Sequence, residues 1–63
     1  MLNPVDKIIA DIVAAMPGSV SIAQSIQQLR LVSATSSTDI ELEMAIATAA
    51  AYQWKPILFD RMI

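Results

Sequence analysis

The sequence contains no cysteine and no histidine. Disulfide bonding is therefore excluded, and with it a common way for a small chain to hold itself together without a large core. The usual zinc ligand sets are missing. So are the thiol nucleophile, the imidazole base and any Ser/His/Asp relay, so an enzyme would have to run on carboxylates, Lys, Tyr or Ser alone. Charge is scarce as well: Lys7, Arg30, Lys55 and Arg61 stand scattered against six acidic residues, net −2, a poor electrostatic footprint for nucleic acid. The longest uncharged run, Ile12 to Leu29, is broken by Pro17-Gly18 and by the polar cluster Gln24, Ser25, Gln27 and Gln28. It does not read as a membrane span, which needs about 20 mostly apolar residues in one helix. Met1-Leu2-Asn3-Pro4 lacks the basic and apolar regions of a secretory signal, and a cytoplasmic location is the expectation.

What is present in excess is apolar surface, 56% of only 63 residues. Scaling for a chain of 6.8 kDa gives an unfolded surface near ~9,900 Å² and a folded one near ~4,000 Å², so only about 60% disappears on folding. At ~25 cal/mol/Å² the apolar burial roughly cancels the entropy of ordering the chain. One small domain spanning residues 1–63 is expected, without a deep catalytic pocket. With disulfides and the usual metal ligands excluded, association with another chain is the remaining source of stability.

Helix signals divide the chain. Asn3 reads as an N-cap, Pro4 as the first helical residue and Asp6 as a first-turn acid. Val5, Ile8, Ile9, Ile12, Val13 and Met16 then recur at helical spacing until Pro17-Gly18, predicting a helix over about 4–16. Ser21-Ile22-Ala23-Gln24 has the form of a capping box, and Ile22, Ile26, Leu29 and Val32 or Ser33 share a face, predicting a helix over about 20–32. The alternation Ser19-Val20-Ser21-Ile22 keeps a short strand open as the competing reading. Ser33 to Thr38 is a polar connector, and Thr38-Asp39-Ile40-Glu41 is a second capping box opening a third helix, about 39–55.

The third helix is the unusual one. Ile40, Met44, Ala47, Ala51 and Trp54 follow the 4-3-4-3 spacing of a coiled-coil seam, while Leu42, Ala45, Ile46 and Ala49 line another side. A helix apolar nearly all round is normally buried, so it is expected to form the inner seam of the assembly, with five alanines between 45 and 51 allowing close backbone approach. Lys55-Pro56 is expected to kink or stop it. Ile57-Leu58-Phe59-Asp60-Arg61-Met62-Ile63 then reads as a short helical segment over about 56–62, either folding back over the first helices or docking on a second chain.

Candidate sites are few. Asp39 and Glu43 share a face at i, i+4, but acids at a helix N-terminus serve the dipole and the cap, and hard cations want more oxygen ligands. No catalytic, metal or cofactor residue is assigned. The helix, connector and Ser/Thr-led second helix resemble a helix-turn-helix only in outline, since Asp39, Glu41 and Glu43 would repel phosphates and no Arg or Lys lies between Arg30 and Lys55. An acidic helix imitating DNA rests thinly on three carboxylates. The first helix carries two Asp against one Lys, the wrong sign for anionic lipid. Tyr52, Trp54 and Phe59, the only aromatics, all lie in the last dozen residues, and Trp and Tyr are enriched at interface hot spots.

The expectation is an all-α fold, three helices plus a Pro-kinked C-terminal segment, completed by dimerisation. The expected function is a non-enzymatic protein-protein interaction module, a small regulator or inhibitor that binds another protein or itself. Its interface would run through Met44, Ala47, Ala51, Tyr52, Trp54, Ile57, Leu58, Phe59 and Met62. The alternatives are a structural assembly or docking subunit and a small helix-turn-helix-like regulator. Bundle architecture alone implies no function.

Overall fold

A computed structural model describes residues 4–33 and 36–61; for Pro4 and Val5 it describes the backbone only. The elements run α1 (Pro4–Ala15), β1 (Val20–Ser21), α2 (Ile22–Val32), α3 (Asp39–Tyr52) and β2 (Ile57–Leu58). The fold is therefore mostly helical, with one very small sheet. Asn3, the expected first cap, and Met62, an expected interface residue, lie outside the described residues.

Each helix packs against the other two. Ile9, Val13 and Met16 from α1 and its exit meet Ile22, Ile26 and Leu29 of α2 and Leu42, Ile46 and Ala50 of α3, with Val20 at the junction. Ile8 and Ile12 pack against this core half-buried. Among the described residues Ser25 is the one buried polar side chain, and its hydroxyl donates to the Ser21 carbonyl at 2.7 Å while resting 3.4 Å from the Met16 sulfur. Gly18 turns the chain out of α1 at φ +72°, a left-handed conformation that glycine adopts without steric cost.

The segment after Pro56 departs from the expected helix. Ile57 and Leu58 pair in parallel with Val20 and Ser21 across the sequence, and the Val20 amide donates to the Pro56 carbonyl at 2.8 Å. Parallel pairing needs a long crossover, and α2 with α3 supplies it. Pro56 has no amide hydrogen and biases Lys55 away from helical geometry, so extended chain follows naturally. The competing strand reading at Val20–Ser21 is thus the one the structure adopts, and α2 begins at Ile22.

The tail also caps α2. Ser21 accepts from the Gln24 amide at 3.1 Å, as its capping pattern predicts, but the second half of the cap is Asp60. Its carboxylate accepts from the Ser21 hydroxyl at 2.6 Å and the Ala23 amide at 2.8 Å. Those two bonds, the Ala23 amide foremost, hold the Asp60 carboxyl below its usual pKa. At α3 the expected capping box is complete: Thr38 accepts from the Glu41 amide at 3.2 Å, and Glu41 accepts from the Thr38 amide at 2.8 Å.

A candidate protein-binding surface

The sequence leaves α3 apolar on two sides, and the fold uses one of them. Leu42, Ile46 and Ala50 are buried, and Ala45 and Ala49 pack against the core beside them. The coiled-coil-like stripe is not the inner one. Ile40 and Met44 are 59% and 66% exposed, Ala51 is exposed and Ala47 is half-buried. The two sides are alike in composition, each combining two large side chains with alanines, so the choice is made by the apolar faces that α1 and α2 present to Leu42 and Ile46. Thr48, on the outward side, donates its hydroxyl to the Met44 carbonyl at 2.9 Å, so its polar group is satisfied within the helix. A groove of about 450 Å³ runs beside this face, floored by Ile9 and Ala10 of α1 and by Ala45 and Ala49, with Met44 and Tyr52 among its lining.

The C-terminal end of α3 explains where the aromatics point. The helix ends three residues before the expected 55, in a Schellman turn: the Lys55 amide donates to the Ala50 carbonyl at 3.0 Å and the Trp54 amide to the Ala51 carbonyl at 3.1 Å. The left-handed residue such a turn requires, normally glycine, is here Trp54 at φ 58°. For a bulky side chain that conformation is an outlier costing about 1–2 kcal/mol. The neighbours hold it there. Gln53 Nε2 donates to the Ala10 carbonyl at 3.1 Å, and Lys55 Nζ donates to the carbonyls of Val13, Ala14 and Met16 at 2.8, 3.1 and 2.7 Å. A cation thus closes the C-terminus of α1, where the helix dipole favours it. Pinned on both sides, Trp54 is 94% exposed, and Tyr52 is 82% exposed.

Past Pro56 the tail divides its side chains. Ile57 packs on the core half-buried, while Leu58 and Phe59 are exposed. Of the expected interface residues, Met44, Ala51, Tyr52, Trp54, Leu58 and Phe59 thus lie at the surface, Ala47 lies partly so, and Ile57 turns inward. Three exposed large side chains fall outside that expectation, Ile40, Leu31 and Val32. Ile40 carried a signal, being the first residue of the heptad stripe. Val32 or Ser33 was expected to complete the buried face of α2, but that face is Ile22, Ser25, Ile26 and Leu29, with Val32 exposed at the helix end and Ser33 half-buried beyond it.

The charges of this surface are already engaged. Arg30 Nη2 meets Asp39 at 2.6 Å and the Ser37 carbonyl at 3.2 Å, tying the connector to α3. Arg61 Nε meets Glu43 at 2.8 Å, fastening the tail to the same helix. Asp39 and Glu43, neighbours by spacing, are therefore drawn to two different arginines, and the pair is no carboxylate site. Lys7 lies 3.6 Å from Asp11 across one helical turn, and Lys55 is bound to carbonyls. Among the described residues no group of three His, Cys, Asp or Glu side chains is placed to hold a metal ion, and no helix is long and apolar enough to cross a membrane.

No family model, curated protein or solved structure matches the chain.

Proposed function

We propose that the chain is a non-enzymatic protein-interaction module, a small regulator or inhibitor that works by contact, and that it does so as a homodimer. The observation that carries this reading is Trp54. A nearly fully exposed indole occupies the left-handed position of a Schellman turn, where glycine would relieve the strain and remove a large apolar side chain from water. Backbone strain of this kind clusters at functional sites. Trp is also among the residue types enriched at interface hot spots. Tyr52, Leu58 and Phe59 add exposed apolar area close to it in the chain.

Duplex DNA suits this surface less well. Asp39 and Glu41 open α3, and all four basic side chains of the sequence are engaged within the chain, so neutralising phosphates would first require breaking internal contacts.

The test compares the chain with Trp54→Gly, each immobilised and exposed to extract of its native host. Retention of a defined protein by the first and its loss from the second, with both variants equally helical by circular dichroism, is the expected result. Equal retention by both would remove Trp54 from recognition and the reading with it.

A further inference from the structure

The outward stripe of α3, reversed end for end, is complementary to itself. Its N-terminal half carries the large side chains Ile40 and Met44, and its C-terminal half the small ones, Ala47 and Ala51. The 4-3-4-3 spacing is that of a helix pairing with a helix, in which each apolar knob enters a hole between four residues of its neighbour. We propose that this stripe packs antiparallel on the same stripe of a second copy, about a two-fold axis beside Ala47 and Thr48. Met44 of each copy then sits over Ala51 of the other, and Tyr52 of each comes within about a turn of Ile40 of the other. The proposal rests on the reading of the chain as a homodimeric interaction module and supplies the partner and geometry of one of its surfaces.

Charge selects the direction. Asp39 and Glu41 crowd one end of α3, whereas residues 44 to 54 carry no charge. A parallel pair would bring these ends of both copies together, each with one acid in excess once Arg30 has met Asp39 and Arg61 has met Glu43, and would set Met44 against Met44. An antiparallel pair separates them by the helix length, about 21 Å for 14 residues, and sets each beside the other copy's uncharged C-terminal half, where Lys55 is the nearest ionic residue in sequence. Pairing leaves no polar group stranded at the centre, because the Thr48 hydroxyl is already bonded within its own helix. The contact is isologous, so it closes as a dimer and leaves no site for open-ended growth. Four helical turns place it at the small end of specific interfaces, below roughly 1,200 Å² in total, so association is reversible and depends on concentration.

Because the chain contains no cysteine, single cysteines report the geometry cleanly. Under mild oxidation Ala47→Cys and Thr48→Cys are expected to cross-link with themselves. Met44→Cys is expected to cross-link with Ala51→Cys in a mixture but only slowly with itself. Met44→Glu, at an exposed position, should keep its circular dichroism and sediment as a monomer at concentrations where the parent chain and Met44→Leu are dimers. Self-linking of Met44→Cys as fast as that of Ala47→Cys would establish a parallel pair and overturn the proposal. Dimers that persist in Met44→Glu would place the contact elsewhere and overturn it too. A parent chain that remains monomeric at several hundred micromolar, with no cross-linking, would reject the second copy as occupant. Trp54-dependent capture of another protein would still hold in that case if the broader reading is right, so the two failures are distinguishable.

Discussion

The inward and outward sides of residues 39–61 are built from the same kinds of residue and do different things. Inward lie Leu42, Ile46, Ala50 and Ile57, together with the half-buried polar side chains of Gln53 and Lys55, which bond to α1 and its exit, while Asp60 bonds to the start of α2 from the surface. Outward lie Ile40, Met44, Ala51, Tyr52, Trp54, Leu58 and Phe59, equally apolar and without equivalent burial. Hydrophobicity alone does not distinguish the sides. What does is whether a neighbouring element of the same chain reaches them, and the described elements cover only one face of α3. Part of the last third holds the fold, and the remainder is left exposed.

The contrast is tested most severely within α3, between two large side chains two positions apart. Ile46 is 1% exposed, and Ile46→Ala leaves a cavity costing about 2–5 kcal/mol, comparable to the entire ~3–5 kcal/mol that a core of this size supplies. Met44→Ala should stay within roughly 0.5 kcal/mol at protein concentrations low enough to keep the chain monomeric. Thermal or urea unfolding followed by circular dichroism measures both. Similar losses for the two substitutions would mean that the outward stripe already serves the fold, and the comparison would collapse.

A smaller effect of opposite sign is expected at Trp54. Trp54→Gly relieves a left-handed conformation in which a side chain costs about 1–2 kcal/mol, offset in part by the greater freedom of glycine in the unfolded chain. The net expectation is a gain of about 1 kcal/mol, or roughly 4–8 °C in Tm for a domain of this length. A residue that weakens the fold while extending into solvent belongs to the outward side. A Tm lowered by the substitution would move Trp54 to the inward side, as a packing residue.

How much of this was legible in the sequence depends on whether the signal is local. α1, α2 and the opening of α3 were readable because periodicity and caps act within a few residues: Thr38 and Glu41 form the box that their spacing implies. The inward face of α3 was not readable, because periodicity orients a helix only when one side is polar. With Ile40 and Met44 on one side and Leu42 and Ile46 on another, the pattern has no direction. The choice is made by what α1 and α2 present. The tail was misread for the same kind of reason. Ile57 and Leu58 are extended because Val20 and Ser21 are there to pair with them and Ser21 and Ala23 are there to meet Asp60, contacts made across more than thirty residues of sequence. Nothing between residues 56 and 62 announces them. The left-handed turn at Trp54 was hidden too, since the glycine that usually marks it is absent and the restraint comes from the carbonyls of α1.

The smallest of the expected effects tests the polar contact between the tail and the start of α2. The Asp60 carboxylate accepts from the Ala23 amide and the Ser21 hydroxyl, and both bonds favour its charged form, so its pKa is lowered by folding. A carboxyl depressed on folding adds stability that is fully present above its unfolded pKa, about 3.9, and disappears as pH falls through the lower folded value. Asp60→Asn keeps the shape of the cap but not its charge. The Tm gap between the parent chain and this variant should therefore be steady from neutral pH down to about 5 and narrow below about 4. Phe59→Ser, one residue away on the outward side, should show a gap of constant size across the same range. If the Asp60→Asn gap also stays constant to low pH, the tail is held by its strand pairing and Ile57 alone, and the charged cap on α2 contributes nothing to the fold.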